Sequence, residues 1–164
     1  MTNFISGYSS GLREAVYVEL NRMIQSEYRG LLYIQRLEDL APANHKHHFH
    51  SSEKKERHGR IADLTRHYYA NIGCYPLFDK VEFPVNYILG LEQSLDHALV
   101  SARNYSELLL SNRDPYMQRE LYRAVNTEVR WATRVNFLYS SYLYSQNTHG
   151  TNLRQTQRQL PTKR

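Results

Sequence analysis

Apolar residues recur every three or four positions along most of the chain, the spacing that places them on one face of an α-helix. Breaks in this pattern predict four helices, over about 12–40, 45–71, 85–110 and 115–144. Ser9 or Ser10 can cap the first helix, Gly73 follows the second, and Asp114 with Pro115 is a strong start for the fourth. The pattern therefore predicts an all-α fold: a four-helix bundle of two helical hairpins joined by a crossover.

Length and composition favour a single folded unit. A chain of 164 residues with 41% hydrophobic content can bury one sizeable core. We expect the bundle to occupy residues 1–150 and the segment 151–164 to be a basic, disordered tail. No run approaches the length of a membrane span and no secretory signal is recognisable, so we expect an intracellular protein. Cys74 is the only cysteine and is expected to be a small buried residue.

Most of the positive charge comes from the predicted tail. The net charge is +5, from 21 basic and 16 acidic residues, and four of the basic residues lie after position 150. Without them the balance is 17 basic (21 − 4) against 16 acidic residues. The body is nearly neutral, so nucleic-acid binding, which would use the tail, is the weakest functional hypothesis.

The first and third predicted helices share a spacing between two marked positions. Glu27 lies six residues before Tyr33, and Leu99 lies six residues before Tyr105. This offset aligns Glu27 with Leu99 in a weak internal repeat of the two halves.

The second and fourth predicted helices share a second spacing. Arg57 and Arg60 lie eleven and eight residues before Tyr68. Glu128 and Trp131 lie at the same offsets before Tyr139. The repeat therefore aligns the two arginines with the Glu–Trp pair.

Three fragments of the chain carry a resemblance to a known family: EYRGLLYIQRLEDLAP, RHGRIADLTRHYYANIG and TEVRWATRVNFLYSSY. They resemble the ferritin-like superfamily, and within it the small rubrerythrin-like four-helix proteins. The match covers about residues 12–144. In that family the first and third helices each supply a glutamate, the second and fourth each supply a Glu-x-x-His pair, and the six side chains hold two iron or manganese ions.

Carried onto this chain, the resemblance implies a degenerate di-metal site. The vestigial metal-site positions are Glu27, Arg57, Arg60, Leu99, Glu128 and Trp131. Only the two glutamates keep the family's ligand type, and a guanidinium has no lone pair to offer a metal. We therefore expect both glutamates to pair with both arginines in a neutral, buried, metal-free network, with the leucine and tryptophan packed around it.

Two alternatives remain open at this point. Arg57 could face solvent and pair with Glu53 one turn earlier. Alternatively, a shifted register could turn Glu53 and Glu56 inward, with His58 nearby, and build a dinuclear iron or manganese oxidase or peroxidase with Glu27 and Glu128.

The segment HKHHFH is the most unusual composition in the chain. We expect it to be the solvated first turn of the second helix. The alternative is a surface site for zinc, nickel or copper formed by His45, His47, His48 and His50, because pairs three residues apart share a helix face.

The resemblance also implies a function. Small ferritin-like proteins of spore-forming bacteria are assigned to the spore coat, and 14 tyrosines would suit a layer in which phenols can be cross-linked. We therefore expect a non-enzymatic structural protein without a cofactor, associated with the spore coat and contacting other proteins such as coat proteins. A homodimer is compatible with such a bundle.

Overall fold

The computed structural model describes the backbone of residues 6–49 and 52–158, and the side chains of 17–49 and 52–146. Within these ranges the regular structure is entirely helical, which confirms the predicted all-α class. The elements are α1 (Ser6–Leu40), a short 3₁₀ helix (Lys46–Phe49), α2 (Ser52–Ile72), α3 (Tyr87–Ser111) and α4 (Pro115–Arg158). In this part of the chain no helix is both long and apolar enough to span a membrane.

Local sequence explains where several helices begin or end. The Asn86 side chain accepts a hydrogen bond from the Leu89 N–H at 2.9 Å and caps α3. Asp114 accepts one from the Tyr116 N–H at 2.8 Å at the start of α4. Gly73 ends α2 with a φ of 81°, a left-handed conformation that glycine adopts without strain.

Two helices are longer than predicted. Helix α1 already begins at Ser6, so Ser9 and Ser10 lie inside it and do not cap it. Helix α4 continues to Arg158, so the predicted disordered tail is helical over 151–158, and residues 159–164 lie outside the described part. The next proline after Pro115 is Pro161, so no strong helix breaker intervenes.

The four helices form a closed ring of contacts in the order α1, α2, α4, α3. Contacts between α1 and α3 run in opposite chain directions, since Ser26 meets Ser101 while Tyr33 meets His97. The same reversal relates α2 to α4, since Glu53 meets Arg134 while Arg57 meets Glu128. Neighbouring helices in the ring are therefore antiparallel.

Buried apolar residues fall into two clusters at different heights in the bundle. The first contains Ile34, Leu37, Ala41, Phe49, Tyr87, Leu91, Ala98, Trp131, Ala132, Val135 and Leu138. The second contains Leu20, Met23, Ile24, Leu64, Tyr105, Met117, Leu121 and Ala124. Glu27 on α1, Arg57 and Arg60 on α2, and Glu128 on α4 lie between these two clusters, so the bundle has a polar layer between two apolar ones.

The connection between α2 and α3 lies along α1. The Gln25 side chain bonds to the backbone of Leu77 and Asp79. Further along α1, Arg36 donates to the Pro84 carbonyl at 3.2 Å. Cys74, in the same connection, is exposed, so the expectation that it is a buried residue is wrong.

Candidate functional site

The polar layer is organised around Arg57, which is completely buried. Its two terminal nitrogens donate to the two carboxylate oxygens of Glu128 at 2.7 and 2.8 Å, a bidentate fork between α2 and α4. One of them, Nη1, also donates to Glu27 Oε2 on α1 at 3.1 Å. A single guanidinium therefore ties three helices together.

Arg60, one turn further along α2, completes the layer. Its Nε and Nη2 donate to Glu27 Oε1 and Oε2 at 3.0 and 2.9 Å. Every carboxylate oxygen of Glu27 and Glu128 thus accepts a hydrogen bond from a guanidinium. The expected pairing of two glutamates with two arginines is present, and the layer carries no net charge when all four groups are ionised.

The network continues from Arg60 to the surface. Arg60 Nη1 donates to the Thr127 hydroxyl oxygen at 3.1 Å, and that hydroxyl lies 3.1 Å from Glu56 Oε2. Arg130 reaches the same Glu56 oxygen at 2.6 Å. Arg60 is therefore held on its outer side as well, although it is 7% exposed.

Gly30 makes room for the buried guanidinium. A Cβ built on Gly30 would lie 2.5 Å from Arg57 Nη1 and 2.7 Å from its Cζ, closer than van der Waals contact allows. The Arg57 side chain therefore lies directly against the α1 backbone. Sequence reasoning missed this residue, and the available signal was an isolated glycine inside a helical pattern.

Burial and charge set the protonation of the layer. Burial disfavours the charged form of Arg57, but Glu128 and Glu27 outweigh it and raise its pKa above the ordinary value. Burial also raises the pKa of Glu128, and Arg57 offsets this only in part. The two short hydrogen bonds from Arg57 still indicate that the Glu128 carboxylate is ionised at neutral pH, because a buried guanidinium that cannot lose its proton needs an anionic acceptor.

Two further titratable groups border the layer. Burial, followed by the charges of Glu27 and Glu128, raises the pKa of the Tyr105 phenol well above its ordinary value. Burial lowers the pKa of His97 to about 3, and the nearby positive charges of Arg57 and Arg29 add to the effect. Both side chains are therefore neutral at neutral pH.

Leu99 does not belong to the site, and its predicted position is wrong. Its side chain is 56% exposed, whereas Ala98 and Tyr105 on the same helix are buried. Residues seven apart share a helix face and residues six apart do not, so Ala98 is the position that faces the core with Tyr105. In α1 the buried partner of Glu27 at this spacing is Ile34, which means that the tyrosine offset misled the alignment by one residue.

Trp131 is buried in the first apolar cluster, one turn from Glu128 on α4. Its indole N–H donates to Ser94 Oγ at 2.9 Å, and its ring meets Phe49 edge-on at 6.1 Å. The tryptophan thus fills core volume with its polar atom satisfied.

The structure contains neither of the two alternative arrangements of α2, with Arg57 facing solvent or with Glu53 and Glu56 both turned toward Glu27 and Glu128. Arg57 does not pair with Glu53. Glu53 is buried but accepts from Arg134 at 2.9 Å, and the Glu56 side chain is 40% exposed and accepts from Arg130. His58 is exposed. The two α2 carboxylates therefore do not join Glu27 and Glu128 in one centre.

The histidine-rich segment is not the first turn of α2, because it forms a separate 3₁₀ helix. His45 is buried, and its Nδ1 lies 3.1 Å from the Tyr87 hydroxyl, so the prediction of a wholly solvated segment is wrong. The ring centroids of His47 and His48 lie 3.9 Å apart, with the rings tilted by 38°. His50 lies outside the described residues, and the described ones contain no group of three or more His, Cys, Asp or Glu side chains suited to a metal ion.

The residues of the polar layer do not fit a di-metal centre. The guanidiniums of Arg57 and Arg60 bond to the oxygens of Glu27 and Glu128 that would have to coordinate metal. A cation placed between the glutamates would also meet two fixed positive charges.

Comparison with protein-family models, with curated proteins and with solved structures finds no match for this chain.

Proposed function

We propose that this chain is a non-enzymatic, ferritin-like structural protein in which a Glu/Arg ion-pair network takes the place of a di-metal site. The observation that carries the proposal is the complete occupation of the Glu27 and Glu128 oxygens by the guanidiniums of Arg57 and Arg60. Oxidase or peroxidase chemistry of the rubrerythrin type needs open metal positions that this arrangement does not offer.

The ferritin-like arrangement of two hairpins and a crossover is part of this proposal. It is supported by the antiparallel contacts around the ring and by the α2–α3 connection, which follows α1 from Gln25 to Arg36. A connection that runs along the bundle returns the chain to the end from which α2 began, so that α2 and α3 point the same way.

Metal analysis of untagged protein tests the absence of the centre. After incubation with ferrous or manganous ions and desalting, we expect far less than one bound ion per chain. The matched control is Glu27→Gln, which removes a family ligand and leaves the histidine segment intact, so metal held by the histidines would persist in it. About two ions per chain that disappear in Glu27→Gln would overturn the proposal.

The proposed setting is a protein layer, the spore coat, with coat proteins as partners. Tyr75, Tyr122 and Tyr144 support a contact-forming role, because each is more than 60% exposed and tyrosine is enriched in protein interfaces. A fluorescent fusion in a spore-forming host should collect at the coat and extract with the coat fraction. A fusion spread evenly through the mother cell would contradict this setting.

A further inference from the structure

Two exposed tyrosines lie face to face where α2 ends. The rings of Tyr69 and Tyr75 are stacked, with their centroids 4.6 Å apart and an angle of 26° between their planes. The two residues are 44% and 69% exposed. Stacked aromatic rings at this separation have carbon atoms of one ring close to the face of the other. The two phenols therefore meet through their ring carbons while both remain open to solvent.

The local backbone holds the two rings together. The Gly73 N–H donates to the Tyr69 carbonyl at 2.8 Å and closes the last turn of α2. Gly73 then has a φ of 81°, which ends the helix and turns the chain. Pro76, directly after Tyr75, is buried, and a proline restricts the residue before it to extended conformations. The contact between the two rings is therefore set by the fold and not by two freely moving side chains.

A second tyrosine pair shows what distinguishes this one. Tyr87 and Tyr142 meet edge-on, with centroids 5.4 Å apart and planes at 71°. Tyr87 is only 6% exposed, and its hydroxyl lies 3.1 Å from His45 Nδ1. An oxidant in solution does not reach that phenol, and its ring does not face the ring of its partner. The pair of Tyr69 and Tyr75 has both the access and the facing rings that coupling of two phenols requires.

We propose that Tyr69 and Tyr75 are a site of oxidative modification, at which a haem peroxidase acting with hydrogen peroxide joins the two phenols into one dityrosine. Each phenol gives one electron and one proton to the oxidant, and one hydrogen peroxide takes up both pairs to become two water molecules. The two phenoxyl radicals form a carbon–carbon bond between ring carbons next to their oxygens. Each of these carbons then loses its hydrogen as a proton, and each oxygen gains one, which restores both phenols.

The net change is the loss of two hydrogen atoms and the gain of one covalent bond. This bond ties the last turn of α2 to the start of the connection that leads to α3. A cross-link of this kind restricts the unfolded chain, as a disulfide does, and so should stabilise this end of the bundle. The proposal depends neither on the metal-free centre nor on the coat setting, because it rests on surface residues alone.

Oxidation of the full chain with peroxidase and a limiting amount of peroxide tests the proposal. Cys74 is exposed next to Tyr75, and its thiol would reduce the radicals, so Cys74→Ser is carried in every sample. At about 10 µM protein, coupling within a chain should exceed coupling between chains by about a hundredfold, because a short tether gives an effective concentration in the millimolar range.

Peptide mapping locates the link. Trypsin releases residues 67–80 as one peptide, which contains Tyr68, Tyr69 and Tyr75. We expect this peptide to lose two hydrogen atoms and to show dityrosine fluorescence. Fragmentation in the mass spectrometer should give no fragments from the backbone bonds between residues 69 and 75, since the new bond holds both ends of that loop.

Three phenylalanine variants show whether the folded geometry selects the pair. Tyr69→Phe and Tyr75→Phe should each abolish the linked peptide. Tyr68→Phe is the matched control and should leave it unchanged, because Tyr68 lies in the same peptide but packs against the second apolar cluster. Circular dichroism should show the same helix content in all three. An unmodified 67–80 peptide, equal use of Tyr68 and Tyr69, or a predominance of links between chains would overturn the proposal.

Discussion

Replacing Arg57 with methionine should be among the most damaging single changes in this protein. The substitution keeps a long side chain but leaves both Glu128 oxygens, now bonded at 2.7 and 2.8 Å, without a partner in a fully buried position. Removing one member of a buried ion pair typically costs about 3–5 kcal/mol. Set against a usual unfolding free energy of about 5–15 kcal/mol, this is a large fraction of the total.

The second variant separates the orphaned charge from the loss of the interaction itself. In Arg57→Met/Glu128→Met both partners are apolar, while Glu27 keeps its fork from Arg60 at 3.0 and 2.9 Å. Buried pairs replaced together are often neutral or even stabilising by about 1–4 kcal/mol. We therefore expect the double variant to be markedly more stable than the single one.

Urea unfolding followed by circular dichroism gives the free energies of unfolding. Arg66→Met is the control, because the Arg66 side chain is 78% exposed and its loss should change stability by less than about 0.5 kcal/mol. In Arg57→Met the unpaired Glu128 would have a pKa above its unfolded value, so the deficit should be full at neutral pH and shrink as acid protonates the carboxylate. A single variant within 1 kcal/mol of the parent, or a double variant as unstable as the single, would refute the reasoning.

Two further predictions concern neighbours of the same guanidinium. Gly30→Ala should destabilise the protein by about 1–3 kcal/mol, because its Cβ would overlap Arg57. The control, Gly59→Ala, meets nothing within 4 Å and should stabilise α2 by up to about 1 kcal/mol. Equal gains in stability for both variants would show that Arg57 does not need a glycine at position 30. The imidazole resonances of His97 should not titrate between about pH 8 and pH 5, because its pKa is lowered from about 6.5 to about 3. Its contribution to stability is therefore complete above about pH 6.5 and is lost as the pH falls from about 6.5 toward 3, at up to about 1.4 kcal/mol per pH unit. A His97 titration near pH 6.5 would contradict the burial argument.

Local chemistry in the sequence is enough to place much of the helical structure. Asp114 and Pro115 begin α4 where predicted, since a side-chain cap and a residue without an N–H act within one turn. Helix ends that lack such a signal were less well placed, as the extension of α4 to Arg158 shows. A periodic pattern indicates which face is apolar but not where the helix stops.

The pairing of Glu27 and Glu128 with Arg57 and Arg60 could also be anticipated, because ionised side chains on core-facing positions must find opposite charges. Leu99 shows the limit of this reasoning. One residue along a helix is a rotation of about 100°, so an alignment wrong by one position moves a side chain from the core to the surface.

Only the tertiary structure decides the remaining features of the site. Gly30 admits the Arg57 guanidinium, Thr127 and Glu56 contact the outer side of Arg60, and Leu77 in the α2–α3 connection is exposed. All three features depend on how separate elements approach each other. The sequence determines which faces are apolar or charged, because that depends on local backbone geometry. Which atoms meet across helices depends on the distances and angles between them, and these are set by packing of the whole chain.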